Sequence, residues 1–154
     1  MKFFKTVSAI LLGVVLANAG EVEDLIGELG SDDKVKRREA ARSLALLGPA
    51  ARAAVPALIK GHDDDEEQVF FWSVTALAKI GPDAHEATPE LIKRLKRSER
   101  RYKDQVHVRI VHALTQIGTA SLHELIGALS SEHSSVRLGA VRVLGNLGFA
   151  SREA

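Results

Sequence analysis

Cysteine is absent from this sequence of 154 residues, and aromatic residues make up only 5% of it. The first absence excludes disulfide bonds, thiol nucleophiles and zinc or iron–sulfur sites with cysteine ligands. The scarcity of aromatics favours close-packed helices over β-sheets, because alanine and leucine dominate the hydrophobic fraction of 45%. A chain of this length and apolar content can form one domain with its own core. We therefore expect an all-α protein.

The sequence also lacks an excess of charge of either sign. It has 21 basic and 20 acidic residues, which gives a formal net charge of +1 at pH 7. Nucleic-acid binding usually requires a basic domain, so no nucleic-acid partner is expected. No stretch after residue 19 is expected to be apolar enough to span a membrane, which takes about 20 apolar residues. We therefore expect no stable membrane insertion of the mature chain.

Residues 1–19 have the pattern of a signal peptide. Lys2 and Lys5 precede an apolar run, and Ala17-Asn18-Ala19 offers the small residues that a signal peptidase accepts. The apolar run is shorter than the about 20 residues of a transmembrane helix, so an uncleaved membrane anchor is the weaker alternative. We predict cleavage after Ala19 and an exported protein, periplasmic or secreted, whose folded domain is formed by residues 20–154.

Internal repetition is the strongest feature of the rest of the sequence. A Leu-Ile pair recurs every 33 or 34 residues, at Leu25-Ile26, Leu58-Ile59, Leu91-Ile92 and Leu125-Ile126. A second motif alternates with it, in which a leucine is followed three residues later by an apolar residue and then by glycine. Its four closing glycines are Gly48, Gly81, Gly118 and Gly148. Two alternating motifs at a nearly constant step indicate a repeat protein.

Each repeat has the features of a helix, a turn and a second helix. Polar stretches such as residues 30–33 and 61–65 offer N-cap side chains to the second helix, and the closing glycine can end it in the left-handed conformation. Before the glycine, apolar or small residues recur at helical spacing, which gives one buried face. A single helical pair cannot bury its faces alone, so the pairs must stack. The prediction is an α-solenoid of about four repeats, at approximately residues 21–53, 54–86, 87–120 and 121–154.

The repeats resemble HEAT repeats, in particular the short type named after the phycobilin lyases. The first copy shows this in Val35–Ala51 and Ala54–Ile59, and the fourth copy in Ser135–Gly148. The second and third copies depart from the pattern, with Phe70-Phe71-Trp72 and His107-Val108-Arg109 in place of arginines and small residues. Tetratricopeptide and ankyrin repeats have similar periods, but their signatures do not recur in the four copies. The resemblance implies an armadillo-type superhelix that binds a partner.

The resemblance also implies where a partner binds, since the second helices of HEAT-like arrays line the concave side. Residues six, nine and ten positions before each closing glycine should then face the groove. Tryptophan and arginine are enriched at binding hot spots. The predicted partner-binding residues are Arg38, Arg42, Phe71, Trp72, Arg109, His112 and Arg142, and the same positions also hold Glu39, Thr75, Val108, Leu138 and Gly139. The alternative is that Phe70, Phe71 and Trp72 fill space in the core.

Two irregularities predict further contact surfaces. The third repeat has four extra residues between its helices, and this insert is basic, which suits an acidic partner or an anionic surface. A solvated helix end is the alternative. The predicted residues of the basic insert are Arg97, Arg100, Arg101, Tyr102 and Lys103. At the other irregularity, residues 149–154 offer no evident polar cap to the last repeat, which indicates self-association through the C-terminal repeat or a shortened relative of a longer array.

The same family resemblance allows an enzymatic interpretation, which the residues do not support. Deoxyhypusine hydroxylases are HEAT-like and hold two irons through His-Glu pairs in the second helix. No copy here has His-Glu at that position, and His85-Glu86 and His123-Glu124 fall on a turn and a first helix. We therefore predict no metal, no cofactor and no catalytic residue. The expected function is a non-enzymatic scaffold that binds a protein or peptide, and the alternative is an accessory subunit or small enzyme of the lyase-like or metal-dependent oxidoreductase type.

Overall fold

The computed structural model describes residues 20–61, 64–96 and 105–150, and within these ranges the chain has helices and turns but no strand. The helices are α1 (residues 20–29), α2 (Lys34–Leu47), α3 (Val55–Gly61), α4 (Glu67–Ile80), α5 (Thr88–Lys96), α6 (Gln105–Ile117), α7 (Leu122–Ala128) and α8 (Ser134–Ala150). They form four successive helical pairs, which confirms the predicted all-α solenoid. The predicted signal peptide, residues 1–19, and the basic insert lie outside the described residues.

The second helices of the four pairs form one continuous layer. Helix α2 packs against α4, α4 against α6, and α6 against α8, while α3, α5 and α7 pack against the second helix of their own pair. The core lies between the two layers. Its fully buried side chains include both sequence markers, namely Leu44, Leu77 and Leu114 of the second helices and Leu58, Leu91 and Leu125 of the first.

Three of the closing glycines end their helices as predicted. Gly48, Gly81 and Gly118 have φ angles of 55°, 74° and 75°, which glycine adopts without the strain that a Cβ atom would cause. At Gly48 and Gly81 the backbone N–H donates to the carbonyl of Leu44 and Leu77 and so closes the helix end. A short 3-10 segment then leads into the next pair, at Gly48–Ala54, Gly81–Ala87 and Gly118–Ser121.

The fourth closing glycine differs, and the prediction that Gly148 ends its helix is wrong. Helix α8 continues through Gly148 to Ala150, and Gly148 does not take a positive φ. Proline follows Gly48 and Gly81, and proline cannot continue a helix because it lacks the N–H donor. Phe149 and Ala150 follow Gly148, and alanine is the strongest helix former, so the helix continues.

One part of the described chain has the length and composition of a membrane-spanning helix. It is Lys34–Gly61, and it corrects the expectation that no such stretch follows residue 19. In the fold, however, this stretch contains two helices, because the chain leaves the helical conformation at Gly48. Its apolar residues Leu44 and Leu58 are fully buried, so its hydrophobicity is that of a core helical pair.

An ion pair joins the start of α2 to the turn that precedes α4. Arg37 donates from Nε to Asp64 Oδ2 at 2.7 Å, and from Nη2 to Asp64 Oδ1 and Asp65 Oδ1 at 3.0 Å. Its third nitrogen, Nη1, donates to the carbonyls of Ser31 and Asp32. Burial disfavours the charged form of Asp64, but its hydrogen bonds, led by that from Arg37, outweigh burial and lower its pKa. The same hydrogen bond raises the pKa of Arg37.

Candidate functional site

The central second helix, α4, carries an aromatic pair on the outer side of the second-helix layer. Phe71 and Trp72 are both partly exposed, and their rings meet edge to face with centroids 4.9 Å apart. Phe70, by contrast, is buried in the core, and Trp72 also packs against the core with part of its surface. Space filling therefore accounts for Phe70, whereas Phe71 and Trp72 keep surface on the outside. We call this outer side of α2, α4, α6 and α8 the second-helix face.

Arginines from both neighbouring helices lie over these two rings. The Arg109 guanidinium, on α6, is 3.5 Å from the centroid of the Phe71 ring, and the Arg42 guanidinium, on α2, is 5.7 Å from that of Trp72. Burial lowers the pKa of Arg109, although an arginine stays protonated at neutral pH. The four side chains form an arginine–aromatic ladder across three repeats, in the order Arg42, Trp72, Phe71 and Arg109.

The α2 end of the ladder is partly neutralised by one carboxylate. Glu39 accepts a hydrogen bond from Arg38 Nε at 3.3 Å, and its other oxygen lies 3.6 Å from Nη1 of Arg42. These side chains are largely exposed, so water screens the ion pairs and each contributes little to stability. The main effect of these ion pairs is on the local charge. Glu39 reduces the positive charge that Arg38 and Arg42 give to α2.

A cleft of about 460 Å³ lies between α4 and α6, beside the Arg109 end of the ladder. We call it the α4–α6 cleft. Its residues are Val74, Thr75, Ala78, Lys79, Arg109, His112 and Gln116. A second depression of about 330 Å³ shares Arg109 and His112 with it and extends to Val108 and Gln105. Volumes of this size accommodate a small ligand or the side chains of a bound peptide.

Most of the predicted groove residues come together in this region. Arg42, Phe71, Trp72 and Arg109 meet in the ladder, Arg38 is joined to Arg42 through Glu39, and His112 lines the α4–α6 cleft with Arg109. Arg142 lies exposed on α8. The predicted residues of the basic insert, Arg97, Arg100, Arg101, Tyr102 and Lys103, lie outside the described residues.

The fourth repeat departs from the predicted geometry at Gly139. This residue is buried, and a Cβ atom built on it would lie 2.6 Å from Cδ1 of Leu95. Gly139 therefore faces α5 and not the groove. The absence of a side chain allows α8 to approach Leu95 closely, and a Cβ atom at this position would require the buried Leu95 side chain to move.

Lys79 is a residue of the cleft that the sequence analysis missed. It follows Thr75 by four residues, which places it one helical turn further along the same face of α4. Gln116 follows His112 in the same way on α6 and also lines the cleft. Both residues lie two positions before the closing glycine of their helix. Adding that position to the predicted groove positions would have identified them.

The histidines do not gather into a metal site in the part of the chain that the structure describes. No group of three or more histidine, aspartate or glutamate side chains there is placed to hold a metal ion. His85 lies on the second 3-10 segment, with Nδ1 3.2 Å from the carbonyl of Pro82, and His107 is buried in α6. Neither belongs to the second-helix face.

Comparisons with known proteins agree with this fold. The sequence profile of the HEAT repeats family matches residues 22–105, more than half of the chain. The HEAT-like repeats protein of the archaeon Thermococcus onnurineus NA1 has a similar structure, with a TM-score of 0.63, 16% identity, and coverage of 90% of this chain and 60% of that one. Two engineered proteins from the Northeast Structural Genomics Consortium are each 26% identical; their TM-scores are 0.53 and 0.59, and the matches cover 82% and 86% of this chain. A search of curated proteins gives no significant match.

The chain spans less than two thirds of the length of these structures, namely 62% and 38% of the two engineered proteins and 60% of the archaeal one. HEAT repeats generally mediate protein–protein interaction, and the HEAT-like fold is generally non-catalytic. The helical pairs, the closing glycines with positive φ and the profile match over residues 22–105 lead to the same conclusion. This chain belongs to the HEAT repeat family.

Proposed function

We propose that the protein is a non-enzymatic scaffold that binds a partner protein or peptide on its second-helix face. The observation that carries this proposal is the arginine–aromatic ladder, because arginine and tryptophan are the residues most enriched at binding hot spots. The ladder crosses three repeats and has the α4–α6 cleft at one end. An extended or helical peptide lying across the second helices would contact both.

The enzymatic alternative, an accessory subunit or a small enzyme of lyase-like or metal-dependent type, is favoured by no feature of this face. Arg42 and Arg109 lie over aromatic rings, and a guanidinium group can position an anion but does not act as a general base. We assign no catalytic residue and no cofactor to the chain.

We also propose that the protein is exported to the periplasm or secreted. The support is the sequence pattern of residues 1–19, with two lysines, an apolar run and a small-residue cleavage site after Ala19. The intact mass of the protein recovered from an extracytoplasmic fraction should correspond to a chain that begins at Gly20. A protein found in the cytoplasm with residues 1–19 still attached would contradict export.

The binding proposal is tested by removing the centre of the ladder. A Trp72→Ala, Arg109→Ala double variant removes one ring and one guanidinium, and we expect it to lose the partner that the wild type captures from an extracytoplasmic extract, with an affinity at least about tenfold weaker. Lys93→Ala is the matched control, because Lys93 is exposed on α5 in the first-helix layer. Circular dichroism should show that all three proteins are folded. Equal capture by both variants would place the binding site away from this face.

The C-terminal repeat supports a second binding function, self-association with another copy of the chain. The residue seven positions before the closing glycine is buried in each of the first three repeats, as Ala41, Val74 and Val111, but Val141 is 56% exposed. On α7, Ile126 is likewise 59% exposed. In a solenoid these positions are covered by the following repeat, and among the described residues α7 and α8 present an end face of apolar side chains that another repeat could cover.

Arg137 indicates which repeat would cover this end face. It lies one helical turn before Val141, and its Nη1 donates to two carbonyls of its own turn, as Arg37 does in the first repeat. Arg37 uses its remaining nitrogens to hold Asp64 of the following repeat, whereas no acid of the described residues pairs with Arg137 in this way. The first turn of this chain carries Asp32 and Asp33. Charge complementarity therefore favours head-to-tail stacking of a second copy.

A single charge on the end face should prevent this association. Sedimentation velocity of the wild type should show oligomers whose fraction rises with protein concentration, and Val141→Asp should remain monomeric because the aspartate would be desolvated in the interface. Val108→Asp is the control, since Val108 is 58% exposed but lies on the second-helix face. A wild type that stays monomeric as its concentration rises would contradict self-association.

A further inference from the structure

The second-helix layer is strongly basic, although the whole chain is almost neutral. Helices α2, α4, α6 and α8 together contain nine lysines and arginines but only two acids, Glu39 and Glu67, and neither acid lies on α6 or α8. Helix α1 shows the opposite bias, since residues 20–29 contain four acids and no lysine or arginine. The basic second-helix layer is complementary to a negatively charged ligand.

The basic charge at the α4–α6 cleft has no acidic partner among the described residues. Lys79, Arg109 and His112 line it, no acid does, and no carboxylate of the described residues forms an ion pair with Lys79 or Arg109. Arg109 is also partly buried against Phe71, and this burial lowers its pKa. Its charge has lost part of its water without gaining a counter-ion. Such a group gains free energy when an anionic acceptor reaches it.

From this geometry we infer that the α4–α6 cleft binds the carboxylate of an aspartate or glutamate in an acidic, partly apolar segment of the partner protein. The inference rests on the proposed function and specifies the chemistry of its ligand. Arg109 and Lys79 supply the donors for the carboxylate. Val108 is exposed and shares a depression with Arg109, and the partly exposed Trp72 contacts the Phe71 ring on which Arg109 lies. These two side chains receive apolar side chains that flank the acid.

The arrangement of the aromatic rings favours a peptide over a single-stranded nucleic acid. Proteins that bind single strands stack bases on free aromatic faces. Here Arg109 covers a face of Phe71 and Arg42 lies over Trp72, while the two rings also contact each other. A carboxylate needs only the outward donors of the arginines, which the ladder leaves accessible.

The test uses the fluorescence of Trp72, which is the single tryptophan of the chain and lies in the ladder. The probe is a short synthetic peptide without tryptophan that alternates glutamate and leucine, and the control peptide has glutamine in place of each glutamate. We expect a saturable change in emission with the glutamate peptide and an affinity about tenfold or more weaker for the glutamine peptide. Lys79→Glu should weaken binding of the glutamate peptide by a similar factor. Lys93→Glu, the same change of charge on α5, should leave it unchanged.

Four results would overturn the inference. Equal affinity for the two peptides would leave the proposed function standing, because the face would then bind a peptide without using charge. Equal weakening by Lys79→Glu and Lys93→Glu would mean that the overall charge of the protein, and not the cleft, attracts the peptide. Tighter binding of a single-stranded oligothymidylate at the same ionic strength would assign the basic layer to nucleic acid. If neither peptide binds, the carboxylate site is wrong, and the capture experiment with the Trp72→Ala, Arg109→Ala variant decides separately on the proposed function.

Discussion

Leu77→Ala is expected to lower the free energy of unfolding by about 2–5 kcal/mol. Leu77 is fully buried in α4, and α4 packs against α2 on one side and α6 on the other. Truncation leaves a cavity between closely packed helices, and the neighbours can fill it only by moving the helices that carry Arg42 and Arg109. Since domains of this kind are stable by about 5–15 kcal/mol, the loss should appear clearly in urea unfolding followed by circular dichroism.

Leu144→Ala is the matched control for this prediction. Leu144 occupies the same position, four residues before the closing glycine, but it is only partly buried because α8 is the last second helix of the described array. Its truncation should cost less than that of Leu77, since a partly exposed side chain has less transfer free energy to lose and leaves no closed cavity. Equal losses would mean that another molecule covers α8 under the conditions of the experiment. The size of the protein in solution would then exceed that of a monomer.

The helices and the core could be predicted from the sequence because helix geometry alone determines which residues share a face. Leu44, Leu77 and Leu114 recur at the same distance from a glycine, and all three are buried. Gly148 shows where this reasoning fails. A glycine permits the end of a helix but does not impose it. Gly48 and Gly81, each followed by proline, and Gly118, followed by threonine, take a positive φ, whereas α8 continues through Gly148 into Phe149 and Ala150.

The candidate site could be predicted only in part, because its geometry depends on contacts between helices. Spacing from the glycines selected Trp72 and Arg109, but it could not show that Arg109 stacks on Phe71 and loses part of its hydration. Gly139 had the right spacing for the groove and nevertheless faces Leu95, because the packing of α8 on α5 decides its environment. Arg37 and Asp64 are 27 residues apart in the sequence, so no local sequence pattern predicts their ion pair.

Asp64→Asn is expected to lower the midpoint of thermal unfolding by several degrees at pH 7 and by much less in acid. Arg37 and Asp64 have only 15% and 12% of their side-chain surface exposed, so salt screens this pair less than a surface pair. The pKa of Asp64 is lower in the folded chain than in the unfolded chain, where it is about 4. The pair therefore stabilises the fold above about pH 4, and this contribution is lost as the pH falls through the lower folded-state pKa. The wild type should lose stability in acid more steeply than the variant, until the two melting curves converge.

Two further variants distinguish the contact between repeats from a general effect of charge. Asp83→Asn removes a carboxylate from the exposed surface of the second 3-10 segment, away from Arg37, and its melting midpoint at pH 7 should stay close to that of the wild type. Arg37→Met should cost more than Asp64→Asn, because it also frees the carbonyls of Ser31 and Asp32. The double variant of Arg37 and Asp64 should lose less than the sum of the single losses, since both changes remove the same interaction. Strictly additive losses would mean that Arg37 stabilises only its own turn. If the double variant loses less stability than the sum of the single losses, the contact between Arg37 and Asp64 helps to hold the first repeat on the second. The same contact then helps to hold Arg42 over Trp72.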